Sequence, residues 1–192
     1  MTPIVVVSGF PRSGSSLTMQ MLQAGGMPCV GEYPAFEDMR VAPSVGVIDR
    51  GWWRSLAGQA VKVLEPTLVQ IPGDVPAATI WLDRDLDEQV KSNAKFLSAV
   101  AGVRIPRGYA RDLRAVFVRD RAPSIAALPS PPLLLRFEAI LANPWAVAQA
   151  LADHLGLVLD IDAMARAVVP RGPACLAGLL EAELLRRAEA SA

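Results

Sequence analysis

The chain has 192 residues, 52% of them hydrophobic and 20% charged, which suits one globular domain with a core of its own. Its 19 basic and 19 acidic residues cancel. A net charge of zero gives no sign of a broad nucleic-acid or membrane surface, so any anion site must be built locally.

Residues 4–8, IVVVS, form a β-branched run bounded by Gly9 and predict a fully buried strand. In residues 16–24, Leu17, Met21 and Leu22 recur at helical spacing, and Gly25-Gly26 ends that helix. A short extended piece is expected over 28–30. Residues 32–43 carry Pro34 and Pro43 and predict an irregular loop. A helix containing Trp52 and Trp53 is predicted over 44–57, a strand over 59–64 and a turn or short helix over 66–72. AATIWL, 77–82, predicts another buried strand, and the helix after it spans 85–100, with Asp85 and Glu88 in capping-box spacing. A further helix is predicted over 107–122 and a strand over 131–137. An amphipathic helix follows from Asn143, its N-cap, with Pro144 at the first helical position. From Asp162 the tail predicts two helices broken at 170–173. Strands alternating with helices predict an α/β fold whose parallel sheet is covered on both faces.

Cys29 and Cys175 stand in no metal-ligand or redox spacing and read as reduced, partly buried thiols. The first apolar run lacks a preceding basic stretch and is a strand, not a signal peptide. The longest apolar stretches fall short of a membrane span. A cytoplasmic location is expected.

GFPRSGSS, residues 9–16, fits the frame of a phosphate-binding loop except at one position: Ser15 stands where such loops carry lysine. Part of the mechanism survives. Successive N–H groups can face one anion, and the next helix adds the positive end of its dipole. The Ser15 and Ser16 hydroxyls can donate as well. Arg12, at the apex, can supply a fixed charge. The alternative is a plain strand-to-helix turn, for which an arginine with Ser13, Ser15 and Ser16 is an odd choice.

GFPRSGSSLTMQML resembles the 5′-phosphosulfate loop of sulfotransferases that use 3′-phosphoadenosine 5′-phosphosulfate (PAPS), where PRSG[TS][TS]L is typical. The resemblance implies that Gly9, Pro11, Arg12, Ser13, Gly14, Ser15 and Ser16 hold the donor, with Arg12 doing the work of the family's loop cation. TIWLDRDLDEQVKSNAKF is similar to a second motif, a strand ending in arginine followed by a helix with a serine eight residues on. It implies that Arg84 and Ser92 hold the 3′-phosphate. RFEAILANPWAVAQALADHLGL is similar to a third, with Phe137 in place of the usual tyrosine, and Arg171 in PRGP matches the arginine of a loop over the 3′-phosphate. Together the motifs cover most of 4–157. They imply a P-loop-type three-layer α/β/α fold with about five parallel strands. One sulfotransferase-like domain is expected over 1–192, with a nucleotide-binding core at 3–157 and C-terminal helices at 158–192. PAPS is then the co-substrate, no metal is needed, and transfer to a hydroxyl or amine is direct and in line.

The proton acceptor is expected to be a carboxylate, because the one histidine, His154, sits in a late helix and reads as structural. Glu32, in CVGEYP, resembles the catalytic glutamate of the tyrosylprotein branch and ranks first. Glu37 follows, then Glu65 beyond the strand VKVL; each also suits a solvated loop. Lys62 resembles a lysine that lies near the transferred group in cytosolic members. A lysine in a buried strand costs free energy unless it is paired; snorkelling is its other reading. Tyr33, Phe36, Trp52 and Trp53 either line an acceptor pocket or pack the core. The acceptor class stays open among small molecules, carbohydrates, lipids and peptides, and no nucleic-acid partner is expected. Three aspartates, Asp83, Asp85 and Asp87, flank Arg84, which weakens the local field. Two rival readings remain. One is a nucleotide-dependent phosphotransferase with Asp83 as magnesium partner; the other is a non-catalytic nucleotide-binding member of the fold.

Overall fold

The computed structural model describes residues 2–41, 48–100 and 104–169. Among them, four strands build one parallel sheet: β1 (Ile4–Gly9), β2 (Ala60–Val63), β3 (Ala77–Asp83) and β4 (Leu133–Arg136), in the order β2-β1-β3-β4. The expected short extended piece makes only an isolated bridge, Cys29 to Ala60. The Ala60 N–H donates to the Pro28 carbonyl and the Val30 N–H to the Ala60 carbonyl, each at 2.8 Å. The chain turns away on either side, so pairing does not extend to a fifth strand. The Cys29 thiol is pushed up to about 12 by burial, which keeps it protonated and unreactive.

Seven α-helices are described: α1 (Ser15–Ala24), α2 (Arg50–Ser55), α3 (Leu86–Val100), α4 (Tyr109–Ala126), α5 (Phe137–Ala142), α6 (Pro144–Leu155) and α7 (Ile161–Arg166). Strand periodicity sorts them into two layers. Val5, Val7, Ile80 and Leu82 pack with α1, α6 and α7. Ile4, Val6, Val61, Val63 and Trp81 pack with α2, α3 and α4. Ile4 to Val7 are all 1% exposed or less. Each such side chain contributes about 1.5–3 kcal/mol on burial. The result is the three-layer α/β/α arrangement expected from the sequence.

Caps set the boundaries. Asn143 Oδ1 accepts from the Ala146 N–H, Pro144 opens α6, and Gly156 closes it in the left-handed region, as predicted. Asp49 Oδ1 accepts from the Trp52 N–H and starts α2 at Arg50, later than the predicted 44; residues 42–47 lie outside the described residues. Helix α4 begins two residues later than predicted and runs four further, through Pro123 near its end. The predicted capping box at α3 is half formed. Asp85 Oδ1 accepts from the Glu88 N–H at 3.0 Å, but the Asp85 N–H donates to Glu138 Oε1 of α5 at 2.8 Å. Helix α5 was not expected, and it takes Phe137 out of the predicted strand. The break at 170–173, Arg171 and Cys175 lie outside the described residues. No described helix is long and apolar enough to cross a membrane.

After β1 the chain winds to β2 on one side, then crosses to β3 on the other. The order reverses at β1, so a crevice opens between the C-terminal ends of β1 and β3, where ligands bind in such sheets.

Candidate active site

The loop between β1 and α1 lies at that crevice. Gly9 has φ 149°, and a Cβ there would stand 2.6 Å from Ser13 Oγ and 2.7 Å from the Leu82 carbonyl. Gly14 has φ 105°, and its Cβ would stand 2.5 Å from the Phe137 ring. Neither position admits a side chain. Between them Arg12 holds φ 70°, a left-handed conformation that costs a non-glycine residue about 1 kcal/mol or more. The loop carbonyls are tied from behind. Gln89 Nε2 donates to the Phe10 and Pro11 carbonyls at 3.3 and 2.9 Å, and Arg84 donates to the Arg12 carbonyl at 3.0 Å. The first bond of α1 runs from the Thr18 N–H to the Gly14 carbonyl, leaving the N–H groups of Ser15, Ser16 and Leu17 ahead of the helical ladder. Ser13 Oγ is fully buried and has no hydrogen-bond partner among the described residues.

Arg12, Ser92 and Arg84 converge on this bend. Arg12 Nε donates to Ser92 Oγ at 3.2 Å, and its guanidinium lies 4.9 Å from the Phe96 ring centre. The Arg84 guanidinium lies 4.7 Å from the ring centre of Phe137. Arg84 and Ser92 are 9% and 6% exposed. The Phe137 ring thus fills the space between Gly14 and Arg84, where the resemblance expects a tyrosine.

The three aspartates beside Arg84 are each engaged elsewhere. Asp83 accepts from Trp81 Nε1 at 2.9 Å and from Arg121 through both oxygens. Asp85 caps α3, and Asp87 pairs with Arg114. Burial raises the Asp83 carboxyl, but the Arg121 and Trp81 hydrogen bonds outweigh it and hold the group below the usual carboxylate range. The stability it contributes is present above the ordinary value of about 3.9 and is lost as pH falls through the lower folded value. Asp83→Asn should therefore be less stable than wild type at neutral pH, with the gap closing below about pH 4. Urea midpoints at both ends of that range check it; a gap independent of pH would refute it.

Lys62 alternates with Val61 and Val63, so it faces α1. It is 4% exposed, and its ammonium donates to Ser16 Oγ at 3.2 Å, the Ala35 carbonyl at 2.5 Å and Glu37 Oε1 at 3.1 Å. Ser16 Oγ and Gln20 Nε2 also bond the loop, through the Ala35 and Pro34 carbonyls. The segment carrying Glu32 and Glu37 is thereby pinned beside the start of α1. Glu32 is exposed and Glu65 half-buried beyond β2. Among the described residues, Glu37 is the one of the three acids with a side-chain tie to α1, through Lys62 and Ser16.

Phe36 and Trp53 are 1% and 0% exposed and belong to the core, while Arg40 covers Trp52. Tyr33 remains exposed. His154 Nε2 donates to the Thr79 carbonyl at 3.0 Å, a structural role. Sequence reasoning passed over Gln89 and Phe96. Both share a face of α3 with Ser92, at i, i+3 and i+7, and that spacing was the available signal.

No protein-family model matches the sequence, and no curated protein does. Solved structures do match. Retinol dehydratase, in a crystal structure with androsterone and the inactive cofactor PAP, is 16% identical, with a TM-score of 0.55 over 87% of this chain and 64% of that one. Mouse sulfotransferase SULT7A1, complexed with PAP, is 12% identical, with a TM-score of 0.54 over 86% of this chain and 62% of that one. The chain thus spans less than two thirds of the length of either. The fold of this chain is that of the PAPS-dependent sulfotransferases.

Proposed function

We propose that the chain is a sulfotransferase that moves a sulfuryl group from PAPS to a hydroxyl or amine. The observation that carries this reading is the meeting of Arg12, Ser92 and Arg84 behind one glycine-bounded loop. The buried, partnerless Ser13 hydroxyl and the cradle at Gly9 fit an anionic ligand. PAPS supplies the activated sulfuryl group when bound. Residues 9–16, with Pro11 and Arg12, hold its 5′ end and stabilise the charge that develops there. Arg84 and Ser92 hold the 3′-phosphate, and Arg171 stays a candidate from sequence alone.

Among the acids, Glu37 best fits the base. Lys62 fixes one of its oxygens beside Ser16, while its side chain stays 70% exposed toward an incoming acceptor. Glu32 and Glu65 lack that tether. Lys62 acts by orienting Glu37. Androsterone in the retinol dehydratase structure supports a small hydroxylated acceptor. A cytoplasmic location belongs to the same proposal.

The phosphotransferase reading is weakened at its magnesium partner, because both Asp83 oxygens already accept hydrogen bonds within the protein. Calorimetry separates the two. Adenosine 3′,5′-bisphosphate should bind without magnesium and much more tightly than ADP, and labelled PAPS should then yield product across an acceptor panel. Preference for magnesium-ADP would overturn the sulfotransferase reading. Binding of the bisphosphate without product from any acceptor would point to a non-catalytic member of the fold.

A further inference from the structure

We infer that Gln89 is a positioning residue for the anion loop: its side-chain amide turns the Pro11–Arg12 peptide plane so that the Arg12 N–H faces the ligand. The inference rests on the assignment of this loop to the 5′ end of the donor.

Gln89 is 2% exposed and lies one turn before Ser92 on the inner face of α3. Its two partners are both carbonyl oxygens, so the group facing them has to be the NH2, and its two hydrogens serve one carbonyl each. A trans peptide is planar, with its C=O and N–H pointing opposite ways. Holding the Pro11 carbonyl toward α3 therefore directs the Arg12 N–H away from α3. Arg84 holds the next plane by its Arg12 carbonyl, and the Ser13 N–H of that plane donates to the Phe10 carbonyl at 3.1 Å and closes the bend. These contacts brace the stretch where Arg12 occupies the left-handed region. A strained bend persists only where its surroundings over-determine it. Gln89 and Ser92 both lie on α3, so one helix braces the loop and carries the serine that faces Arg12.

Replacing Gln89 should damage recognition of a 5′-phosphate and spare recognition of a 3′-phosphate. Gln89→Met keeps the volume and removes both donors; Gln89→Glu sets a carboxylate against two carbonyls. Calorimetry with adenosine 3′,5′-bisphosphate and with adenosine 3′-monophosphate reads the difference. Gln89→Met should weaken the bisphosphate roughly tenfold or more while leaving the monophosphate within about twofold, and Gln89→Glu should weaken the bisphosphate at least as much. Bisphosphate binding within about twofold of wild type, or equal losses on both nucleotides, would overturn the inference. If wild type binds the two nucleotides equally, the assignment of the loop fails first, and the role of Gln89 falls with it. Should circular dichroism show Gln89→Met unfolded, Gln89→Asn, which keeps the donor one methylene short, carries the test under the same criteria.

Discussion

Arg12→Ala is expected to lower sulfuryl transfer by about a hundredfold or more. The loop has no lysine, and Ser15 cannot carry charge to the donor. Arg12 is the loop's one cation, and its guanidinium is already directed along α3 by Ser92 and Phe96. Removing a preorganised charge from the place where charge develops raises the barrier without altering the uncatalysed reaction. The backbone supplies a control. At φ 70°, Arg12→Gly relieves a strain that Arg12→Ala keeps, so the glycine variant should be more stable than the alanine variant by about 1 kcal/mol. Both variants should be equally inactive. Activity is read with labelled donor and stability by urea unfolding. Turnover within a few-fold of wild type in either variant would remove Arg12 from the mechanism.

Glu37→Gln should lower turnover by about 10²-fold or more, whereas Glu32→Gln and Glu65→Gln should each stay within a few-fold. The amide keeps the shape of the side chain and can still accept from Lys62, so the pinned loop is retained. It cannot take a proton from the acceptor. Nucleotide affinity should therefore be unchanged while the chemical step slows, a separation that steady-state rates and calorimetry together resolve. A larger loss at Glu32 than at Glu37 would move the base to the position that the resemblance ranks first.

Much of this was legible in the chain because it depends on neighbours in sequence. The β-branched run at 4–8, the Asn143-Pro144 cap and the Gly9 and Gly14 frame are local patterns, and each appears where the pattern places it. The Arg84–Ser92 pair came from the resemblance, and both side chains reach Arg12, one at its carbonyl and one at its guanidinium. What was hidden depends on partners far along the chain. The acids beside Arg84 looked unfavourable until α4 supplied Arg114 and Arg121, 27 and 38 residues away. The pairing of Lys62 with Glu37 spans 25 residues and needs the loop folded back onto α1. Helix α5 escaped because β4 ends at Arg136, and Phe137 turns inward against Gly14 instead of continuing the strand.

The acids around Arg84 are each tied to a partner, and the chain as a whole is neutral, so attraction of a polyanion rests on the local field of the crevice and not on net charge. Attraction fades within a Debye length, about 8–10 Å at physiological salt. A multiply charged nucleotide therefore meets this protein without long-range steering by net charge. Discrimination between nucleotides then resides in how long each one stays, not in how fast it arrives.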